Sequence, residues 1–422
     1  MQRRRFINQA AKTFLGVSAL PTLSGIGRAA GQHASPLKQI PTAKNVIYLY
    51  MNGGMSHLDT FDPKPNSNEV MGPTRAISTS ADFQISEYLP RLAKQMNLCS
   101  VIRSVSSTQG AHKQGNYFVH TSYEMRSSIR HPAMGAWMMK FQDKGNPALP
   151  SNVMIGNNSQ HPGAGFFESR FAPLMINNPE AGLQHSSLHP HVTRERFDKN
   201  LSISERMDQK FLERYNQKNV RAYTDMYTDA VKLMDSADLA AFDISKEPEA
   251  LRLRYGSEPF GQGCLLARRL VESGVRFVEV SFGGWDTHQA NFVNVPEKAE
   301  VLDIAMSTLL DDVKRRGMLD DTLIVLATEF GRTPEINQNE GRDHHPSAYS
   351  MVMAGGGMKQ GHVHGATSGI GHQVAEGKVT PPDINATIGY ALGLPLDSVL
   401  YSPSKRPFTL ADRGKPIVDL FA

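Results

Sequence analysis

The stretch TLIVLATEFGRTPEINQNEGRDHHP, residues 322–346, predicts both the fold class and a functional site. It opens with Thr322–Ala327, an apolar run rich in β-branched residues that is typical of a strand buried on both faces. Glu329 follows this strand, and the loop after it ends in the sequence DHH at 343–345. Carboxylates and imidazoles at the end of a core strand are the groups that bind hard or borderline divalent metal ions.

A second predicted strand also leads into candidate metal ligands. The stretch VRFVEVSFGGWDTHQAN, residues 275–291, begins as an apolar run and breaks at a Gly-Gly pair just before Asp286 and His288. Residues two apart in extended backbone point the same way, so these two side chains are placed to bind one ion together. We expect the two strand ends to meet, so that both sets of candidate ligands share one pocket.

Predicted strands and helices alternate along the chain. Apolar runs predict strands at 45–50, 98–105, 153–155, 173–176 and 349–353, and helices at 116–125, 132–141, 296–316 and 382–392. The charged segment from about 193 to 270, with a run near 226–239, has apolar residues at helical spacing and predicts a helical insertion. The alternation predicts an α/β fold with a doubly wound, mostly parallel sheet, in which ligands bind beyond the carboxyl ends of the strands.

Composition and charge are those of an ordinary globular protein. The chain has 422 residues, of which 20% are charged, and is long enough for one large domain. Its net charge of +4 includes +5 from residues 1–30, which leaves −1 for the remainder and no electrostatic support for nucleic-acid binding. Cys99 and Cys264 lie in apolar sequence, so we expect them to pack in the core rather than form a disulfide.

The basic segment at residues 1–30 resembles a twin-arginine export signal. Three consecutive arginines, Arg3 to Arg5, precede a modestly apolar run from Ala10 to Leu23. This run is too short and too polar for a stable membrane span. We therefore expect export by the twin-arginine machinery to the periplasm or beyond, a linker at 31–44 and one domain at 45–422.

Seven short motifs follow one another along the chain. They are RRRF at 3–6, GGMSHLDTFDPKP at 53–65, GAHKQGNYFVHTS at 110–122, GGWDTH at 283–288, ATEFGRTP at 327–334, GRDHHP at 341–346 and PPDINATIGYALGLPL at 381–396. Together they resemble the DUF1501 family, which belongs to the alkaline phosphatase and sulfatase superfamily. The resemblance implies an alkaline phosphatase-like fold and a hydrolase that attacks anionic phosphate or sulfate esters with the help of one or two divalent cations. Zn, Mn, Mg and Ca are all candidates.

The resemblance also implies a set of metal ligands. Asp343 is implied either as a ligand or as a residue that orients a histidine. Asp59, in the loop after the first predicted strand, is either a further ligand or the cap of a turn. The implied metal-binding residues are Asp286, His288, Glu329, Asp343 and His344.

The implied catalytic residues are His112 and Arg332. His112 is a candidate ligand, general base or nucleophile, and Ser107 and Thr108 are alternative hydroxyl nucleophiles. Arg332 is a candidate for gripping an anionic oxygen with two N–H groups. The chain departs from the superfamily pattern, because HKQGN at 112–116 stands where sulfatases carry C/S-x-P-x-R. This departure favours a second hypothesis, an exported partner or assembly protein without catalytic activity.

Overall fold

Thr322–Ala327 forms a strand in which every residue is buried, near the centre of an eight-stranded sheet. The computed structural model describes residues 41–184, 186, 188–214 and 230–422. The expected export signal, most of the expected linker and the start of the run near 226–239 lie outside the described residues.

Sixteen strands are described, and eight of them form the main sheet in the order β12-β4-β11-β8-β1-β7-β5-β6. The strands are β1 Asn45–Asn52, β2 Ala76–Ser78, β3 Gln84–Ser86, β4 Cys99–Val105, β5 Asn152–Ile155, β6 Leu174–Ile176, β7 Phe277–Gly283, β8 Thr322–Ala327, β9 Gly331–Arg332, β10 His344–His345, β11 Tyr349–Ala354, β12 His362–His364, β13 Ala366–Thr367, β14 Val374–Glu376, β15 Leu400–Tyr401 and β16 Pro407–Phe408. In the main sheet β11 is antiparallel to both neighbours, and the other neighbouring strands are parallel. The mostly parallel α/β fold expected from the sequence is therefore confirmed, with one reversed strand.

The described helices flank this sheet. They are α1 Asn68–Met71, α2 Pro90–Ala93, α3 His112–Thr121, α4 Met134–Phe141, α5 Arg194–Arg214, α6 Glu249–Arg254, α7 Pro259–Glu272, α8 Asn291–Arg315 and α9 Pro381–Ala391. Within the segment predicted as a helical insertion, α5 is largely exposed, whereas most of α7 is buried in the core. None of the described helices has the length and apolar character needed to cross a bilayer.

Helix α3 differs most from its predicted bounds of 116–125. It begins four residues earlier, at His112, after an extended Ala111 that makes no side-chain cap. It ends at Thr121, because Ser122 adopts a left-handed conformation (φ 67°) and donates its N–H to the Phe118 carbonyl. Neither end carries one of the usual capping residues, so the sequence gives little indication of either boundary. The earlier start places His112 on the first turn of the helix.

Two hydrophobic layers cover the two faces of the main sheet. Alternate residues of β1 show this: Ile47 and Leu49 belong to one buried cluster, whereas Tyr48 and Tyr50 belong to the other. Helices α7 and α8 contribute to the first layer, and α4 and α9 contribute to the second. Cys99 and Cys264 are both buried in the first layer as free thiols, as expected.

The register of the central strands brings three loops to one edge of the sheet. Asn52 at the end of β1 is level with Gly283 at the end of β7, and Tyr50 of β1 is level with Ala327 at the end of β8. Because these strands are parallel, the segments that follow them all emerge at their carboxyl ends. This is the edge at which open α/β sheets bind ligands.

Candidate metal centre

The carboxylate of Asp286 lies at the centre of a cluster of three histidines. Its Oδ2 is 3.3 Å from Nε2 of His112, and its Oδ1 is 3.3 Å from Nε2 of His288 and 3.4 Å from Nε2 of His344. Asp286 and His288 follow β7, His344 lies on β10, and His112 begins α3. The side chain of Asp286 is 48% exposed, so a small molecule in solvent can reach the cluster.

Each of these histidines is held by a hydrogen bond at its other ring nitrogen. In all three rings Nδ1 faces an acceptor, so in the neutral form of each ring Nδ1–H donates and Nε2 keeps its lone pair. Imidazoles that bind metals in proteins are oriented in this way by a carboxylate or a carbonyl group. The acceptors are Glu329 Oε1 for His112 (2.9 Å), Asp343 Oδ1 for His288 (2.6 Å) and the Gly110 carbonyl for His344 (2.9 Å).

The histidine Nε2 atoms around Asp286 are spaced to bind a divalent cation. Nε2 of His288 and Nε2 of His344 are only 2.9 Å apart, and two lone pairs at this distance repel unless a proton or a cation lies between them. Nε2 of His112 is buried and has no hydrogen-bond partner among the described residues. Two ligands about 2.0–2.1 Å from a tetrahedral ion lie roughly 3.3 Å apart, which matches the spacing around Asp286.

The formal charge of the site also fits a divalent cation. The carboxylates of Asp286, Glu329 and Asp343 contribute −3, and the guanidinium of Arg332 contributes +1. With neutral histidines the site therefore carries −2. One divalent cation would neutralise it, whereas without a cation protons must be taken up to reduce the repulsion.

Hydrogen bonds and charges shift the pKa values of the site. The hydrogen bond that His112 donates to Glu329 raises the pKa of His112, with further support from the charge of Asp286. Burial opposes ionisation of Asp286, but its hydrogen bond and ion pair with Arg332 outweigh burial and lower its pKa. Burial, followed by the charge of Arg332, lowers the pKa of His344 and so favours the neutral form that binds metals.

Glu329 accepts a hydrogen bond from His112, whereas the sequence analysis implied a metal ligand. The side chain is fully buried, and both carboxylate oxygens already accept hydrogen bonds. Oε1 accepts from the Gly53 amide (2.9 Å) as well as from His112, and Oε2 accepts from the Tyr50 hydroxyl (3.0 Å). Because both oxygens are engaged by these donors, the geometry favours an orienting role for Glu329 over direct binding of a metal.

Arg332 contacts the loops of the site, whereas the sequence analysis implied a grip on an anionic oxygen of the substrate. The guanidinium is fully buried. It donates to the carbonyls of Gly53, Gly54 and Arg342, and to Asp286 Oδ1 at 2.6 Å. These contacts occupy four of its five N–H groups, whereas a bidentate grip on an oxyanion needs two. Arg332 therefore positions Asp286.

The remaining candidates have partners away from Asp286. Asp343 contacts Nδ1 of His288, which favours the orienting role over the ligand role. Asp59 is fully buried and forms an ion pair with Arg342 (2.8 Å). The hydroxyl of Ser107 accepts a hydrogen bond from the Gln109 amide within the same loop.

A further cluster of potential ligands, His120, His161 and Glu279, was missed by the sequence analysis. One signal for it was present. Glu279 is the only charged residue of β7, and it is almost fully buried. A buried charge of this kind requires a partner, so the sequence could have prompted a search for a second polar site.

Residues 43–421 match the model of a family described as "Protein of unknown function (DUF1501)". The chain belongs to this family. The match spans nearly all of the described residues and both stretches that carry the candidate metal ligands. A comparison with curated proteins finds no match to this DUF1501 chain.

Solved structures similar to this DUF1501 protein share little sequence with it. Ps i-CgsB in complex with k-i-k-neocarrahexaose is 10% identical with a TM-score of 0.42, and covers 84% of this chain and 73% of its own. The PsFucS1 sulfatase from Pseudoalteromonas sp. is 14% identical with a TM-score of 0.39, covering 89% and 73%. An alkaline phosphatase superfamily protein from Vibrio parahaemolyticus is 9% identical with a TM-score of 0.39, covering 91% and 71%. Similarities of this size do not bear on activity.

Proposed function

We propose that this DUF1501 protein is an exported, metal-dependent hydrolase of phosphate or sulfate esters. The observation that carries the proposal is the convergence of three imidazole Nε2 atoms on the half-exposed carboxylate of Asp286. Export is supported by the resemblance of residues 1–30 to a twin-arginine signal, which lies outside the described residues.

The residues proposed to hold the cation are Asp286, His288 and His344, with His112 facing the same point. A ligand set dominated by imidazole favours Zn²⁺ over Mg²⁺ or Ca²⁺, which prefer oxygen ligands. When bound, such a cation supplies electrophilic stabilisation of negative charge on an ester and lowers the pKa of an attacking group.

His112 is proposed to take part in the reaction through Nε2. Its hydrogen bond to Glu329 fixes the proton on Nδ1, so Nε2 is free to accept a proton from water or to attack as a nucleophile. Helix α3 starts at His112, and the unbonded N–H groups of its first turn favour negative charge nearby. The start of α3 and the cluster around Asp286 would therefore bind the anionic group of an ester together.

A panel of chromogenic phosphate and sulfate monoesters, assayed with Zn²⁺, Mn²⁺, Mg²⁺ or Ca²⁺, tests this proposal. We expect turnover of at least one ester that a chelator abolishes and added metal restores. Substitution His112→Ala should then remove turnover while Asp286, His288 and His344 keep the metal. Loss of the metal as well would make His112 a ligand. Turnover that survives His112→Ala would exclude both catalytic roles for this residue.

An exported partner protein with a structural metal is the second candidate. It is favoured by Arg332, whose N–H groups donate to protein acceptors. It is also favoured by Ser107, whose hydroxyl accepts a hydrogen bond within its own loop. Bound metal without turnover of any ester in the panel would support this candidate against the hydrolase.

Substitution Glu329→Gln is expected to shift the pH dependence of turnover. The hydrogen bond that His112 donates to the Glu329 carboxylate raises the pKa of His112, so loss of the carboxylate charge lowers that pKa. Protonated His112 is inactive as a base, and the acid limb of the kcat/KM profile should therefore move to lower pH. Turnover on the plateau should fall about 10- to 100-fold, as is usual when a residue that orients a metal-site histidine is lost.

The matched control for this substitution is Tyr50→Phe. It removes the hydrogen bond to the other oxygen of Glu329 but leaves the bond to His112 in place. We expect a smaller displacement of the acid limb in this variant. An acid limb at the wild-type pH in Glu329→Gln would mean that His112 is not the group that titrates.

A further inference from the structure

A second set of ligand-type side chains is buried behind the first centre. Nε2 of His120 is 3.3 Å from Oε1 of Glu279, and Nε2 of His161 is 3.3 Å from Oε2 of the same carboxylate. The two imidazole rings meet edge to face, with centroids 4.9 Å apart. All three side chains are at most 8% exposed. Two histidines and one glutamate form a ligand set that zinc uses in proteins.

The spacing in this cluster matches the ligand spacing of the first centre. Where Nδ1 of a histidine donates to a carboxylate in the first centre, the distance is 2.6 or 2.9 Å. Where Nε2 atoms face Asp286, the distance is 3.3 or 3.4 Å. Both Nε2–Glu279 distances fall in the second group, and charge-assisted hydrogen bonds are typically shorter, about 2.7–2.9 Å. The distances in the cluster are therefore long for a charge-assisted hydrogen bond and compatible with an ion between the three residues.

A small cavity and two buried polar groups lie beside the cluster of His120, His161 and Glu279. A small cavity of about 10 Å³ is lined by His120, His161 and Glu279 together with Tyr48 and Asn385. The Tyr48 hydroxyl and the Asn385 amide oxygen are buried and have no hydrogen-bond partner among the described residues. A volume of this size holds about one small ion or water molecule. Nδ1 of His120 donates to the Asn116 carbonyl at 2.7 Å, as a metal-binding histidine usually does.

We propose that His120, His161 and Glu279 form a second, structural site for a divalent transition-metal ion such as Zn²⁺. His112 and His120 are eight residues apart on α3, which places the two sites roughly 12 Å from each other at ~1.5 Å per residue. The sites are thus separate, because the ions of a two-metal catalytic centre lie only about 3.5–4 Å apart. The inference does not depend on ester hydrolysis.

One hydrogen bond has to change when an ion enters. The Gly163 amide donates to Nδ1 of His161 at 3.0 Å, whereas metal binding through Nε2 requires a proton on Nδ1. Gly163 has a positive φ of 65° and no atom within 4 Å of the position where a Cβ would lie. A glycine with this freedom can rotate its amide away at low cost.

The site would connect the elements that carry the first centre. His120 lies near the end of α3, which begins with His112, and Glu279 lies on β7, which leads into Asp286. An ion bound by both would fix the helix against the strand. This role accounts for the buried charged residue in the interior of β7.

Counting bound zinc in four forms of the full-length protein tests the proposal. After removal of metal with a chelator and reloading with Zn²⁺, we expect two ions per chain in the wild type and one in His344→Ala. We also expect one ion in Glu279→Gln and none in the double variant that carries both His344→Ala and Glu279→Gln. The matched control His131→Gln removes another buried histidine and should keep both ions. Equal zinc contents in His344→Ala and in the double variant would overturn the proposal.

A measurement on the wild type covers the case in which Glu279→Gln fails to fold. Crystals soaked in Zn²⁺ and measured at the zinc absorption edge should give an anomalous peak between His120, His161 and Glu279, separate from one at Asp286. An anomalous peak at Asp286 alone would show that the second cluster is a buried imidazolium–carboxylate pair instead.

Discussion

Asp286→Asn is expected to reduce ester turnover by more than about 100-fold, since even residues that only orient metal ligands contribute about 10- to 100-fold. Asp286 is the carboxylate that all three Nε2 atoms face. Asparagine keeps the shape of the side chain but removes its negative charge, so the formal charge of the site changes from −2 to −1. The less negative site binds a divalent cation more weakly. Steady-state kinetics in saturating metal measure the effect.

The matched control for this substitution is Asp343→Asn. Asp343 contacts the metal-centre residue His288 only at Nδ1, so its loss should cost about 10- to 100-fold and be partly recovered at high metal concentration. Wild-type turnover in Asp286→Asn would remove this residue from the centre. A larger loss in Asp343→Asn than in Asp286→Asn would reverse the assigned roles of the two carboxylates.

Asp59→Ala is expected to destabilise the protein by about 3–5 kcal/mol, the usual cost of removing one partner of a buried ion pair. Asp59 and Arg342 are both fully buried, and the carboxylate also accepts hydrogen bonds from Ser56 (2.6 Å) and Thr74 (2.7 Å). The substitution leaves the Arg342 guanidinium in the interior without its counterion. Urea denaturation measures the change in the free energy of unfolding.

The exposed pair Lys44–Asp321 provides the control for this prediction. Nζ of Lys44 lies 2.7 Å from Oδ2 of Asp321, about as close as the ion pair between Arg342 and Asp59. The two side chains, however, are 66% and 51% exposed. Asp321→Ala should therefore change stability by less than about 1 kcal/mol. The zinc content of folded Asp59→Ala should equal that of the wild type. Loss of zinc without loss of stability would make Asp59 a metal ligand, the alternative that the sequence analysis left open.

The fold could be predicted from the sequence because local signals and tertiary structure agree. Thr322–Ala327 reads as a strand buried on both faces and is one. The reversed direction of β11 could not be predicted, because a six-residue run in which every residue is buried reads the same in parallel and antiparallel neighbours.

The residues of the candidate site could be found from the sequence more readily than their roles. Asp286 and His288 are two apart after a strand end, and the structure brings them to His344. The roles of Glu329 and Arg332 depend on backbone groups of the loop after β1, Gly53 and Gly54, which satisfy their buried oxygens and N–H groups. Such partners arise only from the tertiary structure, so a sequence motif cannot distinguish a ligand from a residue that positions one.

The most direct test of the metal centre is the zinc content of Asp286→Asn beside that of the wild type, after identical removal and reloading of metal. The protein is purified as the full chain, and bound zinc is measured per folded molecule. The geometry around Asp286 predicts one equivalent less in the variant. Equal zinc contents in the two proteins would contradict a metal centre at the carboxyl edge of the sheet.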